Sequence, residues 1–244
     1  MEIFKEIGIE TLARYGHIIA GITWIGLLYY FNFVQTPAFA AFEAGPRNEA
    51  FAKLVPRAMW WFRWAAMATL AFGILLFGLY SGGDDKPYDD MKGMNVMGIV
   101  AGIYLALIMF SNVWFVIWPA QRRAIANAQN VLAGGEADAG LPPVMRRAAT
   151  ASRTNTFLSI PMLFLMVAAA HFLAFGGYDS SSGGKRALWY VIVLVIGIVA
   201  EAIALKAPAV GSGLTKHLDD HKNTIIGGFT LTIVLIILIE VLFG

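Results

Sequence analysis

Two of the four histidines, the side chains here best suited to bind a metal, lie inside long apolar stretches. His17 belongs to YGHIIAGITWIGLLYYFNFVQTP, which runs from Tyr15 to Pro37 without a charged residue. A stretch of this length crosses a bilayer core of about 30 Å as a helix. An ionisable side chain within such a helix is costly and marks a candidate functional site. His171 has a similar setting in MVAAAHFLAFGG.

His17 and His171 are predicted to lie at the same depth on two different helices. The first span begins, and the fourth ends, on the same side of the membrane, and each histidine is close to that boundary. Because imidazole is a common axial ligand of haem iron, the pair predicts a haem b between the two helices. Gly21 leaves a bare surface for a flat macrocycle or for another helix, and the three alanines before His171 leave room for a porphyrin edge. Arg14, one turn outside His17, is predicted to pair with a haem propionate.

Two other interpretations of these histidines stay open. Each imidazole can instead hydrogen-bond a neighbouring helix, as polar side chains in membrane bundles do. One histidine can also share the iron with Met94 or Met97, which lie near the same boundary. A covalently attached c-type haem is excluded, because the chain has no cysteine and that attachment needs C-x-x-C-H.

A second candidate metal site is HLDDH, just before the last apolar stretch, with His217 and His221 as nitrogen ligands. In a helix the i, i+4 spacing places both imidazoles on one face, and Asp219 or Asp220 adds an oxygen ligand. The acidic residues equally suit an ordinary helix start, where they complement the positive end of the helix dipole. Two histidines on one face are unable to bind opposite sides of one haem.

The composition places all of these residues in a membrane protein. Of 244 residues, 58% are hydrophobic and 14% are charged, against about one quarter charged in a soluble domain. The net charge of +2 gives no argument for nucleic acid. Six apolar stretches predict an all-α, polytopic membrane helix bundle in one domain, residues 1–244. The predicted spans are 15–36, 58–80, 95–118, 156–176, 187–206 and 224–243.

Between the spans, two segments have their own patterns. AFAAFEAGPRNEAFAKLVPRAMWWFRW predicts a short interfacial helix followed by tryptophans at the water–lipid boundary. Residues 120–154 hold GGEADAGLPP between two arginine pairs, which indicates an amphipathic excursion or a mobile loop. YYFNFVQTP and SNVWFVIWP, at the exits of the first and third spans, form a weak internal echo.

The distribution of positive charge predicts the orientation. The N-terminus and the second and fourth loops hold six of the 18 Lys and Arg residues, and the other loops with their flanks hold twelve. The positive-inside rule places the twelve in the cytoplasm. Both termini are then periplasmic, in a bacterial inner membrane.

Polar residues also occur in the cytoplasmic halves of the predicted spans: Asn32, Asn112, Thr154, Asn155 and Glu201. They line a polar pocket, carry protons, or form interhelical hydrogen bonds, and the last interpretation is favoured.

Four blocks of the sequence, in this order, resemble the urate oxidase N-terminal membrane domain family, the membrane part of bacterial urate hydroxylases. They are HIIAGITWIGLLYYFNFVQTPAF, KLVPRAMWWFRWAAM, NVWFVIWPAQRRAI and SRTNTFLSIPMLFLMVAAAHF, and the similarity spans residues 10–175. Members of that family often continue into a periplasmic cytochrome c. This sequence ends at Gly244 after its last apolar stretch, so the resemblance implies that an electron acceptor is a separate polypeptide.

The first block is also similar to the start of the haem-binding membrane protoporphyrinogen oxidases. In that family the first-helix histidine is a haem ligand, and His17 matches it. Its partner there is a lysine in the third helix, whereas no lysine occurs here between Asn95 and Trp118. The resemblance therefore implies a haem ligand at His17 and does not extend to that activity.

These observations predict a membrane haem b protein that transfers electrons toward a periplasmic cytochrome c, as a subunit of a larger respiratory complex. The alternatives are a cofactor-free structural subunit and a membrane urate-oxidising enzyme. The loop with Asp84, Asp85, Asp89 and Asp90 is predicted on the periplasmic side. There it either steers a basic cytochrome c or is simply solvated.

Overall fold

A computed structural model describes residues 2–81, 88, 90, 92–206 and 215–244, and all regular structure in them is helical. Six of these helices are long and apolar enough to cross a membrane, which confirms the predicted class. Shorter helices α2 (Ala44–Lys53) and α7 (Lys216–Asp219) lie in two of the connections, and α2 confirms the predicted short helix. The six long helices are α1 (Glu6–Ala41), α3 (Val55–Ser81), α4 (Met94–Leu132), α5 (Leu141–Phe175), α6 (Gly183–Leu205) and α8 (His221–Phe243).

The bundle has two faces that differ in charge. The terminal face carries both chain ends and the α3–α4 and α5–α6 connections. The backbone N–H of Asp179 donates to the carbonyl oxygen of Phe243 there (2.8 Å), which ties the α5–α6 connection to the C-terminus. The opposite face, here the basic face, carries the connections around residues 42–54 and 133–140, together with Lys206 and residues 215–220. With their flanks these hold twelve of the Lys and Arg residues.

Helix α5 lies at the centre of the bundle, packed against α4, α6 and α8, while α1 packs mainly against α3. Glycines allow α5 to approach two of its neighbours closely. A Cβ on Gly98 of α4 would lie 2.4 Å from Leu173 Cδ1, and one on Gly228 of α8 would lie 2.9 Å from the carbonyl oxygen of Phe157. A larger residue at Gly228 would push α8 away from α5, whereas one at Gly98 would first displace the Leu173 side chain.

Two π-helical turns interrupt long helices, at Tyr30–Gln35 in α1 and at Asn112–Ile117 in α4. A proline follows each turn by two residues, at Pro37 and Pro119. Proline has no N–H for the α-helical ladder, and its ring clashes with the carbonyl four residues earlier. A wider turn relieves that clash.

The hydrogen bonds of the two π turns match each other. The N–H of Thr36 donates to the carbonyl of Phe31, and the N–H of Trp118 donates to that of Val113, in both cases five residues back. The two stretches that echo each other in sequence therefore fold alike. Each turn also holds a buried asparagine, and π turns inside helices occur frequently at functional sites.

The polar segment 120–154 is an amphipathic excursion formed by helix ends. Helix α4 continues to Leu132 and α5 begins at Leu141, so residues 133–140 form the connection. Gly134 takes a left-handed conformation there (φ 88°), which suits glycine at a helix end. Asp138 accepts two hydrogen bonds from Arg123 (2.5 and 2.8 Å), which lowers the pKa of its carboxyl.

Candidate functional site

His17 is half-buried between α1 and α3. Its Nδ1 lies 2.9 Å from the carbonyl oxygen of Thr69. The same edge of the ring lies over Gly73, where an added Cβ would be 3.1 Å from His17 Cε1. A hydrogen bond from Nδ1 to a carbonyl fixes the tautomer and leaves Nε2 as the nitrogen available to a ligand.

The small residues near the two histidines contact neighbouring helices. Gly21 faces the Thr69 side chain, and the space beside Gly16 holds the ring of Phe72. On α5, Ala169 packs close to Gly98 of α4. Gly16, Gly21 and Ala169 thus lie against neighbouring helices. Of the two possibilities left open for Gly21, the neighbouring helix is the one observed.

His171 lies at a break in α5. Its backbone leaves the helical conformation (φ −129°, ψ −83°) between Ala170 and Phe172, and its side chain is exposed. Nδ1 lies 3.0 Å from the carbonyl oxygen of Val167, one turn back in the same helix. This imidazole also keeps Nε2 for a ligand.

The proposed pairing of His17 with His171 needs α1 and α5 close together at the terminal face. The side-chain hydrogen bonds that join these two helices in the described residues run from Tyr29 and Asn32 to α5, all toward the basic face. In the terminal half α1 packs on α3, and α5 packs on α4. The bis-histidine site therefore stays a prediction.

Arg14 lies on the terminal face and binds a side chain of α3. Its Nη2 donates to the Tyr80 hydroxyl, and its guanidinium lies 5.4 Å from the centre of that ring. The predicted propionate contact stays a prediction. Met94 and Met97, the alternative haem ligands, are buried in the hydrophobic core.

The helical-face argument for HLDDH is wrong. His217 lies in α7 and His221 begins α8, and Asp220 between them is extended (φ −106°, ψ 131°). The helix breaks there because the Asp220 carboxylate accepts a hydrogen bond from the N–H of Asn223 (3.0 Å) as an N-cap, which lowers the pKa of Asp220. Asp219 pairs with Arg146. Within the described ranges no group of three or more His, Asp or Glu side chains could hold a metal ion.

The favoured interpretation of the intramembrane polar residues, interhelical hydrogen bonding, is confirmed for Asn32, Asn112, Asn155 and Glu201. Asn112 Nδ2 donates to Asn155 Oδ1 (2.9 Å) and to Glu201 Oε2 (2.8 Å), which joins α4, α5 and α6. Asn155 Nδ2 donates in turn to the carbonyl of Met109 (2.9 Å). Asn112 and Asn155 are fully buried, so these bonds satisfy groups that have no access to water.

Arg153 was not singled out from the sequence, yet it connects three elements near the basic face. Its Nε donates to Asn32 Oδ1 of α1 (3.1 Å), and its Nη1 donates to the carbonyl of Leu218 in α7 (2.8 Å). The sequence feature that could have identified Arg153 is its position directly before the polar triplet TNT of α5, residues 154–156, which is buried in the structure.

A cavity of about 320 Å³ lies between α5, α6 and α8 toward the basic face. Its lining is mainly apolar and includes Phe157, Ile196 and Leu231. Thr154 lines it with a buried hydroxyl that has no hydrogen-bond partner among the described residues, and His217 borders it. Of the five residues considered for a polar pocket, Thr154 alone lines this cavity, and the lining is mainly apolar.

A second feature absent from the sequence analysis is an aromatic cage around Arg63. The guanidinium carbon lies 4.1 Å from the Trp118 ring centre and 5.8 Å from the centres of Trp64 and Trp114. Cation–π contacts of this kind hold a charge at the membrane boundary without a carboxylate. The sequence signal for this cage was the arginine directly before Trp64 in WWFRW.

The acidic-loop prediction falls largely on residues that the structure does not describe. Asp84, Asp85 and Asp89 lie outside the described residues. Asp90 accepts a hydrogen bond from the N–H of Lys92 (2.9 Å) on the terminal face.

Comparison with known proteins bears on the central part of this bundle. Residues 93–209 match the model of the family described as urate oxidase N-terminal. No curated protein and no solved structure matches the chain.

The match confirms the predicted resemblance in α4 and α5 and extends it through α6, where no signature had been recognised. The first two blocks of the predicted similarity, in α1 and α3, lie outside the matched residues. The Asn112–Asn155–Glu201 network and His171 lie inside the region that matches the urate oxidase N-terminal model, whereas His17 and Arg14 lie outside it.

Proposed function

We propose that this chain is a membrane haem b protein that passes electrons toward a cytochrome c, as a subunit of a larger respiratory complex. The observation that carries the proposal is the setting of His17, an imidazole inside a membrane span whose Nδ1 is held by the Thr69 carbonyl. Histidines that ligate metals usually donate their other ring N–H to a carbonyl or carboxylate, which fixes the ring.

The residues around His17 suit the role of an axial haem ligand better than they suit a complete haem-binding pocket. Thr69 sets the ring orientation from its backbone, and Gly73 permits the ring to lie against α3. A bound haem would supply one-electron redox chemistry. His171 is the proposed second ligand, since its Nδ1 is also occupied by a carbonyl. Arg14 is the proposed cation for a propionate at the terminal face.

The proposed partner lies at the terminal face. The excess of Lys and Arg on the opposite face supports a cytoplasmic location for that side and periplasmic termini, in a bacterial inner membrane. A cytochrome c in the periplasm would then meet the same face as His17 and His171. The acidic loop there supports electrostatic steering of a basic partner.

The experiment is a reduced-minus-oxidised spectrum of the purified chain, produced with an ample haem supply and kept in a bilayer disc. We expect a b-type band and oxidation of the reduced chain by added cytochrome c. A folded chain with no haem would contradict the proposal and favour a cofactor-free structural subunit.

A urate-oxidising enzyme is the second candidate, and the match over residues 93–209 favours it. The test is product formation when urate and oxidised cytochrome c are supplied to the pure protein. Turnover in a haem-free preparation would favour this candidate over the first.

A further inference from the structure

An unassigned cavity of about 610 Å³ lies at the basic face. It lies where the middle of α4, the start of α5 and the end of α6 meet. Phe115, Pro119 and Val144 form part of its apolar wall, and Phe115 is 74% exposed, so the wall is continuous with the surface that faces lipid.

The rim of this cavity is cationic. Its charged lining residues are Arg123, Arg147 and Lys206. Arg123 is neutralised by Asp138 in a two-bond pair. Arg147 uses Nε to donate to the carbonyl of Leu205 (3.3 Å), which keeps its remaining N–H groups for another acceptor.

Arg147 and Lys206 have no carboxylate partner among the residues that the structure describes. Two positive charges thus lie beside an apolar wall, near the ends of two of the six candidate membrane-spanning helices. A basic pocket between transmembrane helices has the chemistry to bind an anionic lipid headgroup. A zwitterionic lipid brings its own cation, which the two side chains would repel.

We infer that this cavity binds an anionic phospholipid, with its phosphate between Arg147 and Lys206 and its acyl chains along Phe115 and Pro119. The guanidinium binds phosphate through a fork of N–H groups, and the ammonium adds a point charge. The inference rests on the membrane location and not on haem, so it stands apart from the proposed redox function.

The experiment measures thermal stability and lipid retention in bilayer discs of phosphatidylcholine with or without phosphatidylglycerol. The wild-type chain is expected to melt higher with phosphatidylglycerol and to keep it through purification, as seen by native mass spectrometry. Each positive charge removed from the rim is expected to weaken retention about fivefold. The test variant is Arg147→Gln with Lys206→Gln.

The matched control is Arg122→Gln with Lys222→Gln, which removes two exposed charges from the same face outside the cavity. It should retain phosphatidylglycerol as the wild type does. Equal loss in both double variants, or no preference over phosphatidylcholine, would overturn the inference. Equal protection by inorganic phosphate in phosphatidylcholine discs would also overturn it, in favour of a soluble anion. Lys206→Gln alone gives the same comparison if the double variant fails to fold.

Discussion

Two sets of polar side chains, in opposite halves of the bundle, are held in different ways. Toward the basic face, the Asn112 amide donates to side chains of two other helices, at Asn155 and Glu201. Toward the terminal face, His17 and His171 bond to backbone carbonyls through one ring nitrogen each. The Asn112 amide nitrogen is already used in hydrogen bonds to other helices. An imidazole with one bonded nitrogen, by contrast, keeps its other nitrogen for a ligand.

This difference separates the structural part of the molecule from its candidate chemical part. The network of Asn112 lies entirely inside the region that matches the urate oxidase N-terminal model, in three mutually packed helices. His17 lies on a helix outside that region and packs on α3, which is also outside it. Perturbing each half should therefore change a different observable.

The largest effect is expected from Asn112→Leu. The change leaves Asn155 Oδ1 and the Glu201 carboxylate without their donor in a buried setting, at a cost of about 1–3 kcal/mol. Unfolding of the purified chain in detergent or bilayer discs measures it. Thr230→Val is the control, since the exposed Thr230 hydroxyl bonds within its own helix (2.8 Å to the carbonyl of Ile226). Equal stability of the two variants would refute a structural network.

A smaller effect, on the other half, is expected from Gly73→Ala. The added Cβ meets His17 Cε1 at 3.1 Å, so the ring must move by a few tenths of an ångström. We expect a loss of about 1 kcal/mol and a shifted or weakened haem band. Gly78→Ala on the same helix meets nothing within 4 Å and should leave both unchanged or raise stability slightly. Identical spectra for the two variants would remove His17 from the haem site.

The acidic loop is expected to affect the rate of cytochrome c reduction rather than the stability of the chain. Replacing Asp84, Asp85, Asp89 and Asp90 with Asn should slow cytochrome c reduction at low ionic strength, with less effect at high salt. Stopped-flow mixing of the reduced chain with cytochrome c measures this rate. Unchanged rates at both salt concentrations would exclude the loop from docking.

The smallest effect concerns Tyr178 on the terminal face. Its hydroxyl donates to Glu240 Oε1 (2.5 Å), and desolvation together with this bond raises the pKa of Tyr178 to about 12. Since the folded pKa exceeds the unfolded value of about 10, the contribution to stability is complete below pH 10 and is lost as pH rises through 12. Melting curves of wild type and Tyr178→Phe should converge over that window. A constant difference across it would show that the bond does not titrate.

Much of the fold was predictable because long apolar runs have few alternatives to membrane helices. The helix ends were less so: α1 begins at Glu6 rather than near residue 15, and α4 continues to Leu132, because polar residues extend a helix beyond the bilayer. The similarity between the stretches around Asn32 and Asn112 was visible in the sequence. The structure that they share, a π turn before a proline, was not. HLDDH failed because the capping side chain of Asp220 broke the helix that its spacing assumed.

The candidate site was only partly predictable. His17 and the polar residues were identifiable from charge and polarity within apolar runs, since few such residues occur there. Their partners were not, because a backbone carbonyl such as that of Thr69 has no sequence signal. The roles of Gly21 and Gly16 were equally hidden, as small residues suit a cofactor and a packed helix alike.

Haem content of histidine variants tests the central claim most directly. His17→Gly should lose most of its haem b while keeping its fold, as judged by size-exclusion profile, and added imidazole should restore the band. His171→Ala should lose haem or open a coordination site to carbon monoxide, and His217→Ala and His221→Ala should keep full, spectrally unaltered haem. A double variant of His17 and His171 that retains the wild-type amount and spectrum of haem would contradict the account.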